Sequence, residues 1–197
     1  GERHVDGSTG GGFRIQASSA QIPCRRDGRT ARMDMFDRFT VGTDVLGEGG
    51  FGKVLSATDT QTQEALAVKR IDTRNPRVDM AMIMRECQNL EALNPPNLPP
   101  AHPNVIRIMA HGPGTGIHPS HYYFVFMELA SGGELYNRVI QSGALPDSDE
   151  AGVGARGYAR QLLAGIAHCH SRRVVHLDIK LENVMLTSKG VVKIIDF

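Results

Sequence analysis

The chain has 197 residues, 41% hydrophobic and 22% charged, and its 22 basic and 21 acidic side chains leave a formal net charge of +1. That composition suits one substantial globular core, and so small a net charge gives no overall field to gather nucleic acid or an anionic membrane, so partners have to be recognised locally. Three widely spaced cysteines, Cys24, Cys87 and Cys169, do not form a disulfide framework and fit a reducing, intracellular and cytoplasmic setting.

Residues 1–35 are rich in Gly, Ser and Arg and carry no sustained hydrophobic period, which predicts a flexible tail. They hold no apolar signal-peptide core, and Val5 stands where an acylation signal opening at Gly1 needs Ser or Thr. No apolar run anywhere approaches the ~20 residues of a spanning helix. The sequence opens without Met and stops at Phe197 straight after an apolar run, so both ends read as cuts from a longer protein.

From Phe39 the pattern changes. Phe39–Leu46 and Lys53–Thr58 read as strands joined by a glycine turn over Gly47–Gly52, and Ala65–Ile71 as a third strand after the polar turn Asp59–Gln63. Asp79–Leu93 places Met80, Ile83, Met84, Cys87, Leu90 and Leu93 at three-to-four spacing, which predicts an amphipathic helix covering the sheet. Asn94–Pro100 contains four prolines and is expected to be a long loop, a place for a regulatory partner to dock. Val105–Met109 and Tyr122–Met127 complete five strands. Beyond Ser131-Gly132-Gly133 the character turns helical over Glu134–Gln141 and Ala151–Arg172, with short strands at Val174–Val175, Val184–Met185 and Val192–Ile195. The expected architecture is α+β: a small lobe with its linker over 36–130, an antiparallel sheet with one helix, then the start of a mainly helical lobe over 131–197.

The chemistry is carried by motifs distributed along this frame. Gly47-Glu48-Gly49-Gly50-Phe51-Gly52-Lys53-Val54 fits G-x-G-x-x-G-x-V, in which missing side chains let backbone N–H groups approach phosphate oxygens. A dinucleotide-binding fold uses similar glycines to open a helix, whereas here the chain continues as a strand. Ala67-Val68-Lys69 lies on the third strand, and Glu86, on the apolar side of the following helix, is the natural carboxylate for the Lys69 ammonium; Glu91 is its competitor one turn on. His176-Leu177-Asp178-Ile179-Lys180-Leu181-Glu182-Asn183, followed by Ile195-Asp196-Phe197, is the most specific stretch.

Together these elements, in order from Phe39 to Phe197, resemble the eukaryotic protein kinase family, of Ser/Thr type and with the flavour of its calcium/calmodulin-dependent and SNF1-like groups. The resemblance implies a two-lobed fold that uses ATP and Mg²⁺ to phosphorylate Ser or Thr on protein substrates. It implies catalytic roles for Asp178, Lys180, Lys69 and Glu86, and metal binding by Asn183 and Asp196. The nucleotide would lie against Leu46, Gly47, Glu48, Gly49, Gly50, Phe51, Gly52, Lys53 and Val54, under Ala67 and over Met185, with Met127 behind it. The backbone of Glu128 and Ala130 would meet the base, and Glu134 the ribose. Leu90, Ile108, His176 and Phe197 would stack into an apolar column between the lobes. His102 and His170 are expected to be structural rather than metal ligands.

Two departures matter. Leu177 replaces the arginine that most of the family uses to pair with a phosphorylated activation loop. The chain ends before the activation segment and the large helices of the second lobe, so by itself it is expected to be poorly folded or inactive. The rival reading is a pseudokinase, a nucleotide-binding scaffold without transfer activity, against which all four of Lys69, Asp178, Asn183 and Asp196 are present. Activity of the whole protein is predicted to be independent of loop phosphorylation. Phosphatase treatment checks this: parent activity unchanged and a Leu177→Arg variant made phosphate-sensitive is the expected outcome, and strong phosphate control of the parent would contradict it.

Overall fold

The computed structural model describes residues 34–49, 52–95, 102–147 and 153–197. The tail expected over 1–35 therefore lies outside the described residues except for Asp34 and Met35. So do Gly50 and Phe51 of the glycine turn, 96–101 of the Pro-rich loop and its flank, and the first two positions of the helix expected from Ala151.

The described chain opens with a helical turn that the sequence reading did not anticipate, α1 (Met35–Arg38). Four residues are too few to display a helical period. The turn is held instead by a capping box: Asp34 Oδ1 accepts the Phe36 N–H at 3.1 Å, and Asp37 Oδ2 accepts the Asp34 N–H at 3.1 Å. Phe36 then packs edge-on against Phe124 and Phe126 at ring distances of 5.1 and 5.9 Å and stacks on His118 at 4.2 Å.

Five antiparallel strands follow, β1 (Phe39–Gly49), β2 (Gly52–Asp59), β3 (Ala65–Asp72), β4 (Ile108–Pro113) and β5 (Tyr122–Glu128), in the order β1-β2-β3-β5-β4. Between β3 and β4 runs α2 (Met80–Leu93), whose N-cap Asp79 accepts the Ala81 N–H at 2.8 Å. The period-two alternation of the strands sorts their side chains onto two faces. Leu55, Ala57, Leu66, Val68, Phe124 and Phe126 gather with Phe39 and Phe36 on one side. Ile71, Tyr123 and Val125 meet Ile83, Cys87 and Leu90 of α2 on the other.

The second lobe contributes α3 (Leu135–Ser142), α4 (Ala155–Ser171), a 3₁₀ turn (Leu181–Asn183) and the hairpin β6 (Val184–Leu186) with β7 (Val192–Ile194). Two expected strands differ. The segment before β4 begins pairing within the sheet only at Ile108, because Val105 and Ile106 spend their backbone on β7: Val105 bridges Ile194 and the Ile106 N–H donates to Ile194 O at 3.0 Å. Val174 and Val175 form no strand, since the Val174 N–H closes the end of α4 on Cys169 O at 3.0 Å. Asn104 fastens the lobes further, its Nδ2 donating to Val192 O and to Gln161 Oε1, both at 3.0 Å. Gly165 lets α4 approach β7, where an added Cβ would lie 2.7 Å from Ile194 Cδ1.

A polar strap ties α2 to the sheet. His111 on β4 is buried, with Nε2 at 3.1 Å from Glu91 Oε1 and Nδ1 at 2.7 Å from the Tyr123 hydroxyl, which itself reaches Met84 Sδ at 3.1 Å. Both ends of the strap, Met84 and Glu91, are on α2, and Glu86 lies between them on the same helix.

Where β2 ends, the fully buried Asp59 carboxylate accepts from Arg38 Nη2 at 2.7 Å and Nε at 3.0 Å, and from the Gln61 N–H at 2.9 Å. The Arg38 hydrogen bond holds its carboxyl below the ordinary 3.8. Arg38→Met, which strands a buried charge, is predicted to cost about 2–4 kcal/mol in chemical denaturation at neutral pH. Because the folded pKa is depressed, the contribution is present above the ordinary carboxylate range and lost as pH falls through the folded value, so parent and variant should converge in acid.

Candidate active site

The strand register brings the glycine motif over the lysine. Gly47 pairs with Val54 and Val54 with Lys69, so the three stand in a row across β1, β2 and β3. Leu46, Glu48 and Gly49 lie along the end of β1, and Gly52 and Lys53 open β2, with Glu48 and Lys53 forming an exposed 2.7 Å ion pair across the hairpin. The glycines differ in purpose. A Cβ on Gly52 would lie 2.1 Å from Arg70 O, so packing demands that glycine. At Gly47 and Gly49 an added Cβ would meet nothing within 4 Å. No packing among the described residues requires these two, and the open space beside them is where a ligand's oxygens could approach the backbone.

Lys69 is the meeting point of three elements. Its Nζ lies 3.3 Å from Glu86 Oε1 on α2 and 3.2 Å from Asp196 Oδ1 beyond β7. The Lys69 and Glu86 side chains are only 18% and 19% exposed, whereas Asp196 is 53% exposed and faces outward. Burial acts most strongly on the Lys69 ammonium and would depress its pKa, but the charges of Glu86 and Asp196 together outweigh it and raise it. Glu86 is pushed up, chiefly by burial, against the pull of Lys69. Glu91, the alternative partner, is engaged with His111 instead.

The loop from His176 to Asn183 is held from within. His176 Nδ1 accepts the Asp178 N–H at 3.3 Å and its Nε2–H donates to Ile195 O at 2.7 Å, which orients the ring between the two backbone segments. Asn183 Nδ2 donates to Asp178 O and Oδ2, both at 2.9 Å, and the Ile195 N–H donates to Asn183 O at 3.0 Å. Lys180 Nζ reaches Asp178 Oδ2 at 2.7 Å. Those bonds, first from Lys180 and then from Asn183, hold the Asp178 carboxyl below the usual range. Lys180 is raised mainly by its hydrogen bond to Asp178. Asn183 has given its amide hydrogens to Asp178, leaving Oδ1 as an oxygen donor, and the Asp196 carboxylate is exposed. That pair suits a hard cation which completes its shell with phosphate and water. Among the described residues no cluster of three or more His, Cys, Asp or Glu could hold a metal unaided.

The remaining predicted residues frame the approach to this centre. Ala67 pairs with Met127 at the end of β5, Met185 lies on β6, and Glu134 bridges Met185 at the start of α3, where it accepts from Asn137 Nδ2 at 2.9 Å. Ala130 follows β5 in the linker. The Phe197 ring lies 4.7 Å from that of His176 and packs against the buried cluster that contains Leu90 and Ile108. Leu177 is 91% exposed and shares an apolar hollow beside α4 with Val175 and Ile179. Sequence reasoning missed Lys193 and Arg107, which converge on the Glu128 side chain: Oε1 accepts from Lys193 Nζ and from the Arg107 N–H, both at 2.8 Å. The one available signal was a lysine inside the otherwise apolar run of β7.

Comparison with known proteins agrees with this geometry. A profile of the protein kinase domain matches residues 41–197. The chain is 39% identical over 156 residues to CBL-interacting serine/threonine-protein kinase 1 of Arabidopsis thaliana, covering 78% of this chain and 31% of that protein. It is 34% identical over 179 residues to CBL-interacting protein kinase 9 of Oryza sativa subsp. japonica, covering 89% of this chain and 34% of that protein. It is 33% identical over 172 residues to CBL-interacting serine/threonine-protein kinase 24 of Arabidopsis thaliana, at 85% and 34% coverage. The chain thus spans about a third of the length of these relatives. With the Lys69–Glu86 pair, the Asp178–Asn183 loop and this match over residues 41–197, the chain belongs to the protein kinase family.

Proposed function

We propose that the protein carrying this chain transfers the terminal phosphoryl group of ATP to Ser or Thr hydroxyls of protein substrates, and that this chain supplies its nucleotide site and catalytic loop. The observation that carries the reading is the placement of Lys69 between Glu86 and Asp196, 3.3 and 3.2 Å away, with each of the three on a different element. Phosphoryl transfer makes little covalent demand on the protein and depends on positioning and on stabilising oxygen charge.

Each residue then has a task. Gly47 and Gly49 leave backbone N–H groups open to phosphate oxygens, and Lys69, its ammonium kept charged by two carboxylates, holds the α and β phosphates. Val54 and Ala67 cover the base, Met185 supports it, and Met127, Glu128 and Ala130 border its edge. Asp178 stays ionised because its bonds from Lys180 and Asn183 lower its pKa, and since both fall on Oδ2, Oδ1 remains to accept a substrate hydroxyl proton. Lys180 moves its positive charge toward the transferring group. Asn183 and Asp196 hold Mg²⁺, which when bound neutralises charge developing on the phosphate oxygens. An intracellular, cytoplasmic location fits the buried free thiols of Cys87 and Cys169, the first pushed up to about 12 chiefly by burial and so unreactive. Among the described residues no helix is long and apolar enough to cross a membrane.

The test is transfer of labelled phosphate to a Ser- or Thr-containing protein by the full-length protein. Asp178→Asn is expected to lower turnover roughly 10²–10⁴-fold with little change in ATP affinity. Lys69→Met is expected to weaken ATP binding as well as turnover. Equal transfer by the parent and Asp178→Asn would defeat the enzymatic reading and favour a scaffold that binds nucleotide.

A further inference from the structure

Lys193 presents a charge that the proposed chemistry does not use. It sits in the middle of β7 and is only 8% exposed, so its ammonium is there at the cost of desolvation. Its partner is Glu128, the last residue of β5, across the gap between the two lobes. The Glu128 oxygen that accepts from Lys193 also accepts the Arg107 N–H, and the Glu128 N–H donates to Arg107 O at 3.0 Å. The linker residue is therefore gripped on three sides: by backbone in both directions at Arg107 and by an ammonium from below.

Lys193 is also placed to act on the site. It pairs directly with Met185 across the β6–β7 hairpin, and directly opposed residues of an antiparallel pair project from the same face. Asp196 follows three residues further along the chain. The linker's far end is tied to the same hairpin, with the Gly132 N–H donating to Leu186 O at 2.7 Å and the Leu186 N–H to Gly133 O at 2.8 Å. The Lys193–Glu128 bond completes this arrangement at the near end. A buried ion pair is a weak source of stability compared with an apolar pair of the same volume, and its best-attested use is to fix one arrangement among several.

We propose that Lys193 and the Glu128 side chain form a latch that sets the linker peptide over the floor of the nucleotide site, making Lys193 a positioning residue for nucleotide binding rather than for transfer. This rests on the ATP reading above. In the full-length protein, Lys193→Met is expected to raise both the dissociation constant of a fluorescent ATP analogue with Mg²⁺ and the KM for ATP about tenfold, with kcat within about twofold. Lys193→Arg restores most of the affinity. The double variant Lys193→Met, Glu128→Gln is expected to bind no more weakly than Lys193→Met alone, because the two side chains act as one unit.

Parental affinity in a folded Lys193→Met variant overturns the latch, as does a loss confined to kcat. If Lys193→Met does not fold, Glu128→Gln decides. Its amide oxygen can still accept the Arg107 N–H but carries no charge for Lys193, so a several-fold weaker affinity supports the latch and parental affinity overturns it. A parent that binds no nucleotide overturns the ATP reading and the latch with it, whereas parental affinity in the variants overturns the latch alone.

Discussion

A buried ammonium is tolerated only where opposite charge surrounds it, and at Lys69 that charge comes from two places that the chain must bring together separately. Glu86 arrives on α2, across the sheet's inner face, and Asp196 from the second lobe, 127 residues along the chain. If α2 moves on the sheet or the second lobe shifts, the ammonium loses a partner while remaining mostly buried, at the desolvation cost that an unpaired charge carries. The mutual placement of α2, β3 and the end of β7 is therefore a single electrostatic condition, and much of the surrounding structure can be understood as meeting it.

The supports act at both ends of that condition. On the α2 side, the Glu91–His111–Tyr123–Met84 strap brackets Glu86 on its own helix, and Ile83, Cys87 and Leu90 bury the helix against the sheet. On the second-lobe side, His176 and Asn183 hold the backbone of Ile195 from its oxygen and its nitrogen. The Asp196 carboxylate is thus delivered from a fixed neighbour while the following Phe197 packs against the cluster between α2 and the sheet. Asn104 and the Val105–Ile194 bridge carry the connection between the lobes through backbone and side-chain hydrogen bonds.

The sequence made legible those parts whose physics is local. The strands showed as alternation, α2 as a three-to-four period, and the loop chemistry as residue types that occur together for few other reasons. The pairing of Lys69 with Glu86 rather than Glu91 followed from the helix face, and the structure agrees. What escaped was set by distant partners or by shortness. The segment from Val105 reads as strand because it is apolar, yet its first residues pair with β7, which no local pattern announces. Val174 and Val175 have strand-forming side chains, but the Val174 backbone is taken up in ending α4. The Lys193–Glu128 bond joins residues 65 apart, and an isolated lysine in an apolar strand gives its existence but not its partner.

The packing of Phe36 bears on where this folding unit starts. The family profile begins at residue 41, but Phe36 contacts Phe124 and Phe126 from the turn that precedes β1, and the Asp34 side chain accepts from Thr115 in the β4–β5 connection. The outer face of the sheet is thus closed by residues that carry no family signature. A boundary drawn at the profile's edge would leave aromatic side chains of β5 open to water, and the lobe would trade a sealed surface for one prone to self-association.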